Sequence, residues 1–140
     1  MKEKDSFTIS LPDDKVSKET LLKLDLILQS KGHLIKKALG ADRITVEHEI
    51  GKIHFPWFDR LLSADEARIY TEFISMLIIN ARAQTRVFGK ETITDNEKYT
   101  FRSFLTRLGY IGPECKEARK LLLQKLSGSS AFRHQKGDEK

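Results

Sequence analysis

The residues that come nearest to a metal-binding or catalytic set are the acids and histidines of residues 47–54. Glu47, His48, Glu49 and His54 have side chains that bind zinc, and a hairpin in this segment would place Glu47 opposite His54. Because a zinc site needs three or four ligands, two facing side chains on an exposed sheet do not make one. The sequence therefore predicts no metal and no cofactor.

No other residues form an arrangement typical of catalysis. The chain lacks a Ser-His-acid order, a glycine-rich phosphate loop and a nucleophile elbow. His33 and His134 have no acid or thiol at a useful spacing, and the single cysteine, Cys115, falls on the predicted inner face of a helix. These features predict a non-enzymatic protein with no small-molecule substrate.

Positive charge is concentrated in the C-terminal part of the chain. Residues 1–80 hold 12 Lys/Arg and 13 Asp/Glu, whereas residues 81–140 hold 13 and 7. This excess is typical of a surface that meets phosphates, although a solvated helix face has the same composition. The candidate residues for binding nucleic acid or a protein partner are Arg102, Arg107, Lys116, Arg119, Lys120, Phe132 and Arg133.

Two short helices, predicted over 95–108 and 113–126, would present most of these cations. The short glycine-containing turn between them and the basic second helix are features of a helix-turn-helix that binds DNA. Glu114 and Glu117 lie in the first turn of the second helix and argue against contact with a DNA groove. A helical hairpin that closes the core remains the alternative.

Two aromatic features have both a binding and a packing interpretation. Phe132 follows a Gly/Ser stretch, so it either folds back on the core or anchors a partner, including a second copy of the chain. Phe55, Trp57 and Phe58 have the ring chemistry to stack on single-stranded bases. Few cations lie near these three in the sequence, so we expect them to pack in the core.

The elements that position these residues follow from hydrophobic periodicity and capping signals. Residues 7–11 alternate as a half-buried strand. Ser17 is a suitable N-cap for a helix over 18–39, Gly40 is a suitable C-terminal stop, and Gly32 marks a kink or a break inside this helix.

Residues 44–58 predict a β-hairpin with a two-residue loop at Ile50 and Gly51. Pro56 has no N–H, so its strand should be an edge or contain a bulge. The register places polar pairs on one face and apolar pairs on the other. The facing pairs are Glu49 with Lys52, Glu47 with His54, Val46 with Phe55, and Ile44 with Trp57.

Two capping boxes mark later helices. The first, at residues 63–66, begins an apolar helix that should be central and end near Val87. The second, at residues 94–97, begins the helix over 95–108.

The order strand, helix, hairpin and three helices predicts an α+β fold. Its small antiparallel sheet, made of the N-terminal strand plus the β-hairpin, would pack against helices, with a C-terminal three-helix unit. We expect a single domain over 1–134 and a disordered tail over 135–140.

The composition also bears on where in the cell the protein is expected. Hydrophobic residues make up 39% and charged residues 32% of the 140 residues, as in an ordinary globular protein. No apolar run is long enough to span a membrane, and the first residues lead us to expect no signal segment. A lone cysteine suits a reducing compartment, so the expected location is the cytoplasm and no membrane partner is expected.

Several stretches resemble a known family in order and spacing. They are LIKKALG at 34–40, FPWF at 55–58, NEKY at 96–99 with FR at 101–102, RLG at 107–109, and LSGS at 126–129 with AF at 131–132. Over most of its length the chain is similar to small proteins of Gram-positive, largely gut-dwelling bacteria, called "virulence-related protein". The resemblance implies a gene among mobile elements, but no activity or cofactor.

Overall fold

The computed structural model describes residues 5–14 and 16–129 of the chain. Within these residues the chain forms three strands, four α-helices and one 3-10 turn. In order they are β1 (Phe7–Pro12), α1 (Lys18–Leu39), β2 (Glu47–Glu49), β3 (Lys52–Phe58), α2 (Ala64–Ala83), α3 (Glu97–Leu108), the 3-10 turn (Pro113–Cys115) and α4 (Lys116–Leu123). The predicted α+β class is confirmed.

The sheet is antiparallel, with the strand order β1-β3-β2. In the hairpin of β2 and β3, Glu47 pairs with His54 and Glu49 with Lys52. Gly51 in the loop has a φ of 92°, a conformation that costs glycine little. The predicted loop and the two predicted pairs nearest to it are confirmed.

Pro56 lies in β3, the central strand, where the sequence predicts either an edge or a bulge. The predicted irregularity is confirmed. Phe7 pairs with Phe58 and Ile9 with Phe55, so the register shifts opposite Pro56. On the side of β3 that faces β2, the paired residues reach only as far as His54. The missing N–H of Pro56 therefore interrupts no ladder there.

The outer part of the hairpin differs from the predicted ladder. Strand β2 begins at Glu47, so the expected pairs of Val46 with Phe55 and Ile44 with Trp57 lie outside it. Instead, Trp57 donates its Nε1–H to the carbonyl oxygen of Thr45 at 2.7 Å. A buried indole N–H needs an acceptor, and the carbonyl of Thr45 supplies it where the predicted ladder would have continued.

Helix α1 begins and ends as its capping residues predict. The Ser17 hydroxyl accepts the backbone N–H of Thr20 at 3.1 Å, and Gly40 ends the helix with a φ of 63°. Gly32 does not break the helix. It is buried, and the side chain of Ile44 occupies the space that a Cβ would need.

Helix α2 has the predicted capping box. Ser63 Oγ accepts the N–H of Glu66, and the Glu66 carboxylate accepts the N–H of Ser63. The helix ends at Ala83, before the predicted Val87, because the backbone of Gln84 is extended. The residues that follow cross over α1 instead of extending α2.

The C-terminal helices differ from the predictions at three of their ends. Asn96 rather than Thr94 is the N-cap of α3. Gly109 ends α3 with a φ of 113°, as predicted. The next helix begins with a 3-10 turn at Pro113 and ends at Leu123, short of its predicted end.

The core lies where the sheet, α1, α2 and α3 meet. Phe55, Trp57 and Phe58 are 0–1% exposed, and Phe58 stacks on Tyr70 with ring centres 5.7 Å apart. The packing interpretation of this aromatic cluster is confirmed, because no base can reach these rings. The central position of α2 follows from its buried residues: Ile69, Tyr70, Phe73, Ile74, Leu77, Ile78 and Ala81.

The N-terminus of α3 binds the segment that follows α4. Asn96 Oδ1 accepts the N–H of Ser129 at 3.0 Å. Glu97 Oε1 accepts both the N–H and the Oγ–H of Ser127 at 2.9 Å, and lies 2.8 Å from Lys37 Nζ of α1. We call these contacts of Asn96 and Glu97 the α3 clamp, since they join α1, α3 and the C-terminal segment.

Some predictions concern residues outside the described ranges. They are the docking of Phe132, the binding role of Arg133 and the disordered tail over 135–140. Of the helices within those ranges, none has the length and apolarity needed to cross a membrane.

Replacing Asn96 with alanine should lower the free energy of unfolding by about 2 kcal/mol. The N-cap contributes about 1 kcal/mol, and Ser129 loses the acceptor of its N–H. Urea unfolding measures the loss. The matched control is Gln124→Ala, which removes an exposed amide side chain at the end of α4 and should change stability by no more than about 0.5 kcal/mol. Equal losses in the two variants would contradict the role of the clamp.

The charge of Glu97 should make stability depend on pH. Burial alone would raise its pKa, but the hydrogen bonds from Lys37 and Ser127 outweigh burial and lower it. A carboxyl with a lowered pKa in the folded state stabilises the protein above its unfolded pKa, and loses that effect as pH falls. The stability gap between the wild type and Glu97→Gln should therefore shrink below pH 4.5. A gap that stays constant in urea unfolding at each pH would refute this.

Candidate nucleic-acid interface

The histidines of the hairpin form separate pairs with single acids. His48 Nε2 lies 2.9 Å from Asp13 Oδ2, and His54 Nε2 lies 2.9 Å from Glu49 Oε1. The hydrogen bond with His48 holds the pKa of Asp13 below its usual range. Across residues 5–14 and 16–129, no three His, Cys, Asp or Glu side chains are placed to hold a metal ion. The first pair links the hairpin to the residue that follows β1, and the second joins the two strands of the hairpin.

The five predicted cations of α3 and α4 differ in their exposure to solvent. Four of them are exposed: Arg102, Arg107, Lys116 and Lys120. On α4, the two lysines flank Glu117, whose carboxylate pairs with Arg68 of α2 at 3.3 Å. The exposed side of α4 therefore has charges of both signs.

Arg119 binds the protein's own backbone. Its Nη1 donates to the carbonyl oxygen of Tyr110 at 3.2 Å and to that of Gly112 at 2.9 Å. Both carbonyls belong to the turn between α3 and the 3-10 turn. The structure therefore places Arg119 as a support for this turn, apart from the four exposed cations.

A cleft of about 310 Å³ opens between α1, α3 and the connector, which we define as residues 84–96 between α2 and α3. Each of these three segments contributes one basic side chain: Lys31 from α1, Arg86 from the connector and Arg107 from α3. The neutral polar residues of the lining are Ser30, Asn80 and Gln84, and no acid lines it. We call this site the cationic cleft.

Lys31 is half-buried at the cationic cleft. Its Nζ donates to Thr92 Oγ1 at 2.5 Å and lies 5.9 Å from the centre of the Phe104 ring. Burial, and secondly the charge of Arg107, lower the pKa of Lys31. In the described part of the chain, no carboxylate forms an ion pair with Lys31, Arg86 or Arg107. Like charges gathered in this way cost free energy, which a bound anion would offset.

The connector is fixed to α1 at three points. Lys23 Nζ donates to the carbonyl of Gln84 at 2.6 Å, and the N–H of Thr92 donates to the carbonyl of Ser30 at 2.9 Å. Between these points, Gly89 packs so closely that a Cβ would lie 2.8–2.9 Å from side chains of α1. The segment that lines the cleft is therefore held in place from both ends and from its middle.

A second cleft, of about 670 Å³, adjoins the first and shares Arg107 with it. It lies along the N-terminal half of α3 and contains one acid, Asp95. The other polar residues of its lining all carry hydroxyl groups: Thr94, Tyr99, Thr100 and Ser103. Arg107 thus stands between a cationic cleft and a hydroxyl-rich one.

Sequence reasoning found Arg107 but missed Lys31 and Arg86. The three cations come from separate parts of the chain, and no local spacing connects them. One signal was present: Arg86 and Phe88 place a basic and an aromatic residue side by side in a loop after the apolar helix.

Comparison of the chain with models of protein families, with curated proteins and with solved structures finds no match in any of the three. The resemblance to the "virulence-related protein" family stays a prediction, and the candidate site depends on geometry alone.

Replacing Arg119 with alanine should lower the free energy of unfolding by about 1–2 kcal/mol, because two carbonyls lose a charged donor on a partly exposed side chain. Lys116→Ala removes the same charge from an exposed site of the same helix, and should stay within about 0.5 kcal/mol of the wild type. Urea unfolding compares the two. A similar loss in both variants would rule out the supporting role of Arg119.

Proposed function

We propose that this protein is a non-enzymatic accessory protein that binds nucleic acid in the cytoplasm through a basic surface centred on the cationic cleft. The observation that carries the proposal is the convergence of Lys31, Arg86 and Arg107 on a cleft whose lining includes no acid. Phosphates would neutralise these three cations, and the backbone of a nucleic acid carries phosphates at regular intervals. As the family resemblance implies, the protein would serve a mobile element.

The wider charge distribution supports the same partner. The chain has a net charge of +5, and its excess of cations lies after residue 80. Arg102, Lys116 and Lys120 are exposed on α3 and α4, outside the cationic cleft. Such peripheral cations speed the approach of a polyanion more than they tighten its binding.

The non-enzymatic part of the proposal is supported by where the reactive groups lie. The contacts of His48 with Asp13 and of His54 with Glu49 are on the hairpin, and none of these residues lines the cationic cleft. Cys115 is partly buried against the core, and a single cysteine suits the reducing cytoplasm.

Titration of labelled single-stranded DNA, duplex DNA and RNA at about 50 mM and about 200 mM salt should show binding that weakens steeply with salt. The double variant Arg86→Ala/Arg107→Ala should reduce the slope of log K against log salt by about two, since each phosphate contact contributes roughly one. Fluorescence anisotropy measures both quantities.

The matched control is Lys116→Ala/Lys120→Ala, which removes the same net charge from α4. We expect a smaller change in the salt slope, because Glu117 lies between these lysines. An equal or larger change would move the interface to α4. The absence of binding to every nucleic acid at low salt would reject the proposal and leave a protein-interaction module as the alternative.

A further inference from the structure

We propose that the cationic cleft takes a single nucleic acid strand and that Phe88 stacks on one of its unpaired bases. This inference rests on the proposed function and names the form of nucleic acid that the site accepts. The ligand would have a phosphodiester backbone and bases without a partner strand. Single-stranded DNA and single-stranded RNA share these features.

Phe88 is an exposed aromatic side chain beside a group of cations. It is 74% exposed and lines the same cleft as Lys31, Arg86 and Arg107. The rings of Phe55, Phe58, Phe73 and Phe101, in contrast, are 0–1% exposed. A ring that stays in water contributes little to the core, whereas stacking on a base would bury its face.

The backbone beside Phe88 is held against α1 without any ligand. Its neighbour Gly89 lies against α1 without room for a Cβ. Thr92, further along the connector, donates its N–H to Ser30 and accepts a hydrogen bond from Lys31. A ring mounted on a fixed segment loses less conformational entropy on binding than one on a free loop.

The cations around Phe88 are arranged for a backbone that passes the ring. Arg86 lies two positions before it in the connector, while Lys31 and Arg107 line the cleft from α1 and α3. Lys31 has three N–H donors, of which one is used by Thr92. Aromatic and basic groups in one cleft are the combination that single-strand-binding proteins use.

A duplex fits this arrangement poorly. Its bases are stacked and paired inside a stiff helix, so an exposed ring finds no base face to cover. Its phosphates lie on a convex surface, whereas Lys31 is half-buried in a concave cleft. A flexible single strand can turn a base onto Phe88 and bring its phosphates to the cations.

The test is a titration of the full-length protein with oligothymidine, a single-stranded RNA of the same length, and a duplex of the same length. The wild type should bind either single strand more tightly than the duplex. Phe88→Ala should weaken single-strand binding about tenfold and leave the salt slope unchanged. Arg107→Ala should instead reduce the slope by roughly one.

Two further variants separate stacking from general apolar contact. Phe88→Tyr keeps the ring and should retain wild-type affinity, whereas Phe88→Leu keeps an apolar side chain without a ring and should bind as weakly as Phe88→Ala. Ile50→Ala removes an exposed apolar side chain from the hairpin loop, far along the chain from the cleft, and should change nothing. Thermal unfolding confirms that each variant is folded.

The outcomes distinguish this inference from the proposed function. Binding to nucleic acid with equal or higher affinity for the duplex, or with no effect of Phe88→Ala, overturns the single-strand inference alone. Wild-type affinity of Phe88→Leu for the single strands overturns the stacking role of Phe88. The absence of binding to every strand at low salt overturns both proposals.

Discussion

The carboxylate of Glu97 connects parts of the protein that the chain keeps far apart. It accepts hydrogen bonds from the backbone and side chain of Ser127 and pairs with Lys37 of α1. Beside it, Asn96 both caps α3 and accepts the N–H of Ser129. The cationic cleft lies between α1 and α3, and the pair of Glu97 with Lys37 joins the same two helices. Charged hydrogen bonds are strong enough for this purpose because their donors and acceptor are partly shielded from water.

The cationic cleft brings like charges together and partly buries one of them, which is electrostatically unfavourable. Burial and the charge of Arg107 both lower the pKa of Lys31, so neither stabilises the charged amine. Some cations elsewhere in the described structure are paired with acids: Arg43 lies 2.7 Å from Asp59, and Arg60 lies 3.2 Å from Glu66. A local arrangement of cations that costs stability is a feature expected of a binding site.

Much of the fold was predictable because short-range interactions decide it. Ser17 and Gly40 limit α1 through hydrogen bonds within one helical turn, and the loop at Gly51 sets the register of the hairpin. The end of α2 was not predictable, because Gln84 stops the helix where its carbonyl meets Lys23 from another element. For the same reason, the sequence left open whether Pro56 lies at an edge or at a bulge, since whether a strand is central depends on where β1 joins the sheet.

The amino-acid sequence by itself determined the fold class, the caps of α1, the capping box of α2, the hairpin loop with its nearest pairs, and the excess of cations after residue 80. Each is a property of neighbouring residues or of composition. Only the tertiary structure decided which cations act together: it turned Arg119 onto the carbonyls of Tyr110 and Gly112 and gathered Lys31, Arg86 and Arg107 around one cleft. The reason is physical, since electrostatic interaction depends on distance in space and on burial, and neither can be read from separation along the chain.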